Sequence, residues 1–162
     1  MNDDPLVNSK KAFSVDGSFR DIYVFETDKQ DWQKLLTFLH SGAYAFEFAV
    51  GNQPMPLPES IETIFAIGIE HSTVVHIDKE HLALNCFFFS EEQIDFDLDP
   101  RDFQGDTAGQ QISRLLVFLR TIGQLLNKPI VLTPEGGPPP RLFSFDPKTG
   151  EEQWFQEYID VE

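Results

Sequence analysis

Residues 93–100 read QIDFDLDP, and their alternation decides what kind of fold the chain makes. Ile94, Phe96 and Leu98 interleave with Asp95, Asp97 and Asp99, and the run stops at Pro100. A period of two belongs to a β-strand, whose successive side chains point to opposite faces of its sheet. Burying a row of unpaired carboxylates costs far more than leaving it in water, so the apolar set faces a core and the aspartates face solvent. Hydrated, the row can stand without a counter-ion, because carboxylates about 6.7 Å apart along a strand repel by roughly 0.6 kcal/mol in water. A strand that is apolar on one side needs a second layer over that side, which points to helices packed on a sheet.

Two readings of the acidic row follow. It can serve as a charged face that discourages edge-to-edge pairing of sheets. It can also be a docking face for a basic protein, with Glu91, Glu92, Asp102 and Asp106 close by, so the candidate partner-binding residues are Glu91, Glu92, Asp95, Asp97, Asp99, Asp102 and Asp106. Counted from Asp95, the spacing D-x-D-x-D with Asp106 at the twelfth position echoes a calcium loop. The echo fails at the sixth position, where Pro100 stands in place of the glycine the sharp turn requires.

Upstream, TVVHID (73–78) and HLALNCFFFS (81–90) read as two strands joined by a tight turn at Lys79 and Glu80. The second carries Leu82, Leu84, Cys86 and Phe88 on one face and Phe87 and Phe89 on the other, the pattern of a central strand covered on both sides. Cys86 inside that run reads as a small core residue rather than a nucleophile. A two-residue turn would place His76, Asp78 and His81 on one face, residue types suited to a transition metal or an acid–base pair. A metal-binding protein or enzyme centred there is the alternative to the docking face; the plainer reading is three polar residues beside a hairpin turn. No cofactor motif is present, because no glycine-rich turn joins a strand to a helix.

Further out, ESIETIFAIG (59–68) matches a helix at Ile61, Ile64 and Phe65 and a strand at Ile61, Thr63, Phe65 and Ile67, and Pro58 and Glu59, which suit a first turn, favour a short helix; GNQPMPLP (51–58), with three prolines, reads as a surface connection. AYAFEFAV (43–50) and SFRDIYVFET (18–27) read as strands. Between them Trp32, Leu35, Leu36 and Leu39 mark one face of a helix, with Thr27 and Gln30 as a capping box and Gly42 as its stop. Downstream, residues 106–128 form the longest helix, capped by Asp106, with Ile112, Leu115, Leu116, Leu119, Ile122 and Leu126 as its buried stripe. A short strand, PIVLT (129–133), a proline-rich loop and a hairpin turning at residues 146–150 complete the chain.

The expected fold is therefore α+β: a single domain over residues 18–158, with a mainly antiparallel (mixed) sheet of about six to eight strands and two or three helices on it. Residues 1–17 are expected to be a flexible N-terminal leader and residues 159–162 a frayed tail.

Bulk composition narrows function. Of 162 residues, 41% are hydrophobic and 16 are Phe, enough for a core. Twelve basic residues against 27 acidic ones give a net charge of −15, which disfavours nucleic acid and anionic membrane surfaces as partners. The charge is uneven: residues 59–106 hold twelve acids and two bases, and residues 107–145 one acid and four bases. A basic protein or a second copy of the chain is the partner class that remains. The single cysteine and the opening MNDDPLVNSKKAF, which lacks a secretory signal, lead to an expectation of a cytoplasmic protein. The expected function is a non-enzymatic interaction domain, with an acidic surface of the sort that immunity proteins, antitoxins and assembly factors use.

Overall fold

A computed structural model describes residues 5–155. The alternation at residues 93–100 is realised: Ile94, Phe96 and Leu98 are buried in the core from a strand spanning Gln93–Leu98. Among the described residues nine strands make one sheet: β1 (Arg20–Phe25), β2 (Phe46–Val50), β3 (Gln53–Met55), β4 (Thr73–Ile77), β5 (Leu84–Ser90), β6 (Gln93–Leu98), β7 (Ile130–Pro134), β8 (Phe143–Asp146) and β9 (Glu151–Trp154). Their order is β3-β2-β4-β5-β6-β1-β7-β8-β9, and every neighbouring pair is antiparallel. The helices are α1 (Pro5–Ala12), α2 (Lys29–His40), α3 (Ile61–Gly68) and α4 (Ala108–Leu126). The chain is thus a one-sheet α+β domain. The strand beyond the expected number is β3, which tolerates Pro54 because it lies at the sheet edge, so residues 51–58 are not a connection alone.

The helical layer covers one side of the sheet. Its apolar stripes, with Trp32, Leu35, Leu36 and Leu39 from α2 and Ile112, Leu115, Phe118, Leu119, Ile122 and Leu126 from α4, pack on the inward set Ile22, Val24, Val75, Cys86, Ile94, Phe96 and Leu132. Phe118 sits edge-on to Phe96 at 5.5 Å and to Tyr44 at 5.4 Å, tying α4 to the sheet. The Trp32 indole N–H donates to the Ser90 carbonyl at 2.9 Å, which satisfies the polar end of a buried ring.

Several expectations need correction. The start of α2 is capped by Asp28 and Asp31, not Thr27 and Gln30: Asp31 N–H donates to Asp28 Oδ1 at 3.0 Å and Asp28 N–H to Asp31 Oδ2 at 3.1 Å. Asp106 does not cap α4; it lies in a 3-10 turn (Gly105–Thr107) that follows another over Pro100–Phe103. Residues 5–12, expected to be leader, form α1, and Ala12 and Phe13 are core residues. The buried Arg20 holds them there. Its Nε donates to the Ala12 carbonyl at 2.8 Å, one Nη to the Ser14 carbonyl at 2.7 Å and the other to Asp16 at 3.2 Å, while Phe13 stacks on Phe103 at 4.8 Å. Ser18 hydrogen bonds first, with Arg20 adding to them, hold the Asp16 carboxyl down at about 2. The tail at 159–162 lies outside the described residues.

Two corrections concern the sheet face turned away from the helices. Strand β5 is not covered twice, since Phe87 is only half-buried and Phe89 is 73% exposed. Strand β6 is the fifth of nine, so its aspartates cannot be guarding a sheet edge.

Candidate functional site

The side chains that alternate with the core set build the open face from the middle of the sheet outwards. Asp97 on β6 has Asn85 of β5 on one side and Asp21 of β1 on the other; Asp95 has Phe87 and Tyr23. Asp21, Asp95 and Asp97 therefore meet at the centre of the sheet because β1 pairs with β6, a contact between distant parts of the chain. Aromatic rings border them. Phe87 stacks on Phe89 with centroids 5.1 Å apart, and Tyr23 on Phe25 at 5.2 Å, with Phe25 40% exposed.

The aspartates are not freely hydrated, as the alternation alone suggests. Asp95 is only 8% exposed and Asp97 half-buried. Gln93 Nε2 donates to both Asp95 oxygens, at 2.9 and 3.1 Å. Burial pushes the Asp95 carboxyl above the usual carboxylate range, the Asp21 charge adds to it, and the Gln93 bonds oppose it. Asp97 is raised for the same first reason, with Asp21 and Glu135 adding repulsion, and with the Asn85 bond and His76 opposing. Tyr23 donates to Asp21 Oδ2 at 3.1 Å, and Gly136 N–H to the same oxygen at 2.8 Å. Burial, then the Asp21 charge and bond, then the Asp95 charge, push the Tyr23 phenol up to about 12.

A polar chain extends the centre towards β4. Asn85 Nδ2 donates to Asp97 Oδ1 at 2.8 Å, and Asn85 Oδ1 lies 2.7 Å from His76 Nδ1. With its amide nitrogen turned to Asp97, Asn85 can only accept at its oxygen, so His76 Nδ1 is the donor and Nε2 is left for another partner. Beside this chain lies a groove of about 610 Å³, whose lining includes Ile69, Val74, His76, Asn85, Phe87 and Phe89. Ile69, 83% exposed, and Phe89 give it apolar walls.

Among the described residues, Asp21, Asp95 and Asp97 form no ion pair with a lysine or arginine, although other acids do. Glu91 meets Lys29 at 3.6 Å and Asp99 meets Arg101 at 2.6 Å. Of the seven acids singled out by sequence, Asp95 and Asp97 sit at the centre of the open face, and Asp99 and Asp102 line a smaller pocket beside it with His76 and Asn85. Glu91 and Glu92 occupy the β5–β6 turn, Asp99 caps the first 3-10 turn through Arg101 N–H, and Asp102 and Asp106 lie beyond the strand end. Asp21, Tyr23 and Asn85 escaped sequence reading. Their signal is the alternation of Asp21, Tyr23 and Phe25 with Arg20, Ile22 and Val24, which becomes informative only once β1 is set beside β6.

His76, Asp78 and His81 do not converge. The connection from β4 to β5 is longer than a two-residue turn: Asp78 takes a left-handed conformation, φ 51°, and its carbonyl accepts from the N–H groups of His81, Leu82 and Ala83. His81 Nδ1 reaches Asp78 Oδ1 at 3.0 Å, while His76 turns to Asn85. Among the described residues, no group of three His, Cys, Asp or Glu side chains is placed to hold a metal ion, and no helix is long and apolar enough to cross a membrane. Comparison of the chain with protein-family models, curated proteins and solved structures returns no match.

Proposed function

We propose that this domain is a non-enzymatic interaction module that holds a basic protein on the open face of its sheet. The observation that carries the reading is a set of three carboxylates at the centre of that face, unpaired with any cation among the described residues and bordered by uncovered aromatic rings. The burial of Asp95 and the half-burial of Asp97 make their charges costly in the free protein. A cation supplied by a partner relieves that cost, so the interaction gains more than it would from freely hydrated acids. A net charge of −15 further favours encounter with basic proteins. A second copy is disfavoured as the occupant, because two such faces brought together would set aspartates against aspartates.

Affinity capture from lysate followed by mass spectrometry tests this reading when run on three proteins in parallel: the wild type, Asp21→Asn/Asp95→Asn/Asp97→Asn, and the control Glu92→Gln/Asp106→Asn at two exposed acids away from the centre of the face. A basic protein retained by the wild type and control, released by the triple variant and eluted by salt is the expected result. Equal retention by the triple variant places the contact elsewhere and ends the proposal.

A further inference from the structure

We infer that the partner's anchor is an arginine with an apolar side chain about 10 Å from it, a spacing of two strands across the sheet. The inference rests on the basic-partner reading and adds which cation is recognised. Asp95 stands between Phe87 and Tyr23, and each of these belongs to a stacked ring pair. A cation that reaches this carboxylate, 8% exposed, must shed most of its water beside aromatic rings. A guanidinium does so more readily than an ammonium: it is planar, weakly hydrated, lies on ring faces and presents two parallel N–H donors to a carboxylate. Gln93 uses one acceptor site on each Asp95 oxygen, and each oxygen keeps another for such a fork.

The apolar requirement comes from Phe87, which lies in register with Asp95 on one side and Val74 on the other and also lines the groove between Ile69 and Phe89. From β6 to β4 is two strand spacings, about 9.6 Å. A ligand seated over Asp95 therefore reaches the groove with a side chain at that distance. Charge complementarity selects this occupant over an uncharged apolar segment, which would leave the aspartates covered and unpaired.

The test uses Nα-benzoyl-L-arginine amide, which joins a ring to a guanidinium, and Nα-benzoyl-L-lysine amide as the comparison, each titrated into the full-length protein by NMR. The arginine compound should shift the signals of Val74, Phe87, Phe89 and Asp95. Its affinity should fall roughly tenfold in Asp95→Asn, which loses the charge-assisted pair, and about fivefold in Phe89→Ala, which loses a groove wall. Phe89 is largely exposed, so its truncation leaves the core intact. Equal binding of the lysine compound at these residues overturns the choice of arginine while the basic-partner reading stands. Shifts confined to the groove between α2 and α4 near Phe38 and Leu125, or no shifts at all, overturn the site. A dimer on sedimentation that Phe89→Ala dissolves makes the occupant a second copy and overturns it too.

Discussion

Asp97→Asn is expected to raise the stability of the isolated protein at neutral pH even as it weakens partner capture. Asp97 and Asp21 are directly opposed across β6 and β1. Unit charges about 5 Å apart repel by about 0.8 kcal/mol in water and about 1.7 kcal/mol at an effective dielectric constant of about 40. The amide keeps an oxygen for Asn85 Nδ2 but exchanges a charge-assisted bond for a neutral one, a loss of about 0.5 kcal/mol. The net gain is about 0.5–1 kcal/mol, or roughly 2 °C in melting temperature for a domain of this size. The pH dependence has a definite sign. The folded-state pKa of Asp97 lies above its unfolded value of about 3.9, so the stability associated with its neutral form is fully present below about pH 3.9 and is lost as pH rises through the folded pKa. The advantage of the variant should therefore be largest near pH 7, shrink as the carboxyl protonates, and be gone by about pH 3.5. Paired urea melts at several pH values read it directly. A variant less stable than wild type at pH 7, or a difference flat with pH, would refute the reasoning that burial first, and the Asp21 charge with it, makes the Asp97 carboxylate costly.

Other outcomes concern the scaffold. Phe118→Ala removes a fully buried ring packed on Tyr44 and Phe96 and should cost about 3–5 kcal/mol in a urea melt, whereas Val117→Ala, one residue away and half exposed, should stay within about 0.5 kcal/mol. Gly123→Ala should destabilise by about 1–3 kcal/mol despite the better helix propensity of alanine, because the added carbon would lie 2.8 Å from the buried Phe145 ring; unchanged stability would show that the ring yields. Cys86, whose thiol burial pushes well up, should resist Ellman's reagent at pH 8 in the native protein and react at once in denaturant.

What could be read from the sequence was what is local. The alternation at 94–98 and the stripe of α4 declare themselves within a few residues, whereas residues 61–68 fit a helix and a strand period alike and only the structure decides for the helix. Phe87 and Phe89 misled because hydrophobicity is normally a sign of burial, and nothing in β5 itself tells that no layer covers them. Asp95 and Asp97 could be assigned to the side opposite the core, but their partial burial comes from neighbours on β1 and β5 that no spacing rule places there. The N-terminal segment looked loose because its anchor is a single buried arginine, whose hydrogen bonds to Ala12, Ser14 and Asp16 no local pattern announces. The candidate site is half local pattern and half long-range pairing, and only the first half is written in one stretch of chain.

The position of β1 bears on how the chain acquires its shape during synthesis. Strands β2 to β6 and β7 to β9 are two runs, each internally connected by neighbours, and β1 is the seam between them, with Tyr23 opposed to Asp95 on one side and Val131 on the other. The seam emerges from the ribosome first yet has nothing to join until both runs exist, which makes its closure a late event in a slow, high-contact-order sheet. Until then the borders of β6 and β7 lack their partner strand, and in that unfinished sheet only the β6 border carries carboxylates, Asp95 and Asp97, to repel a like-charged neighbour.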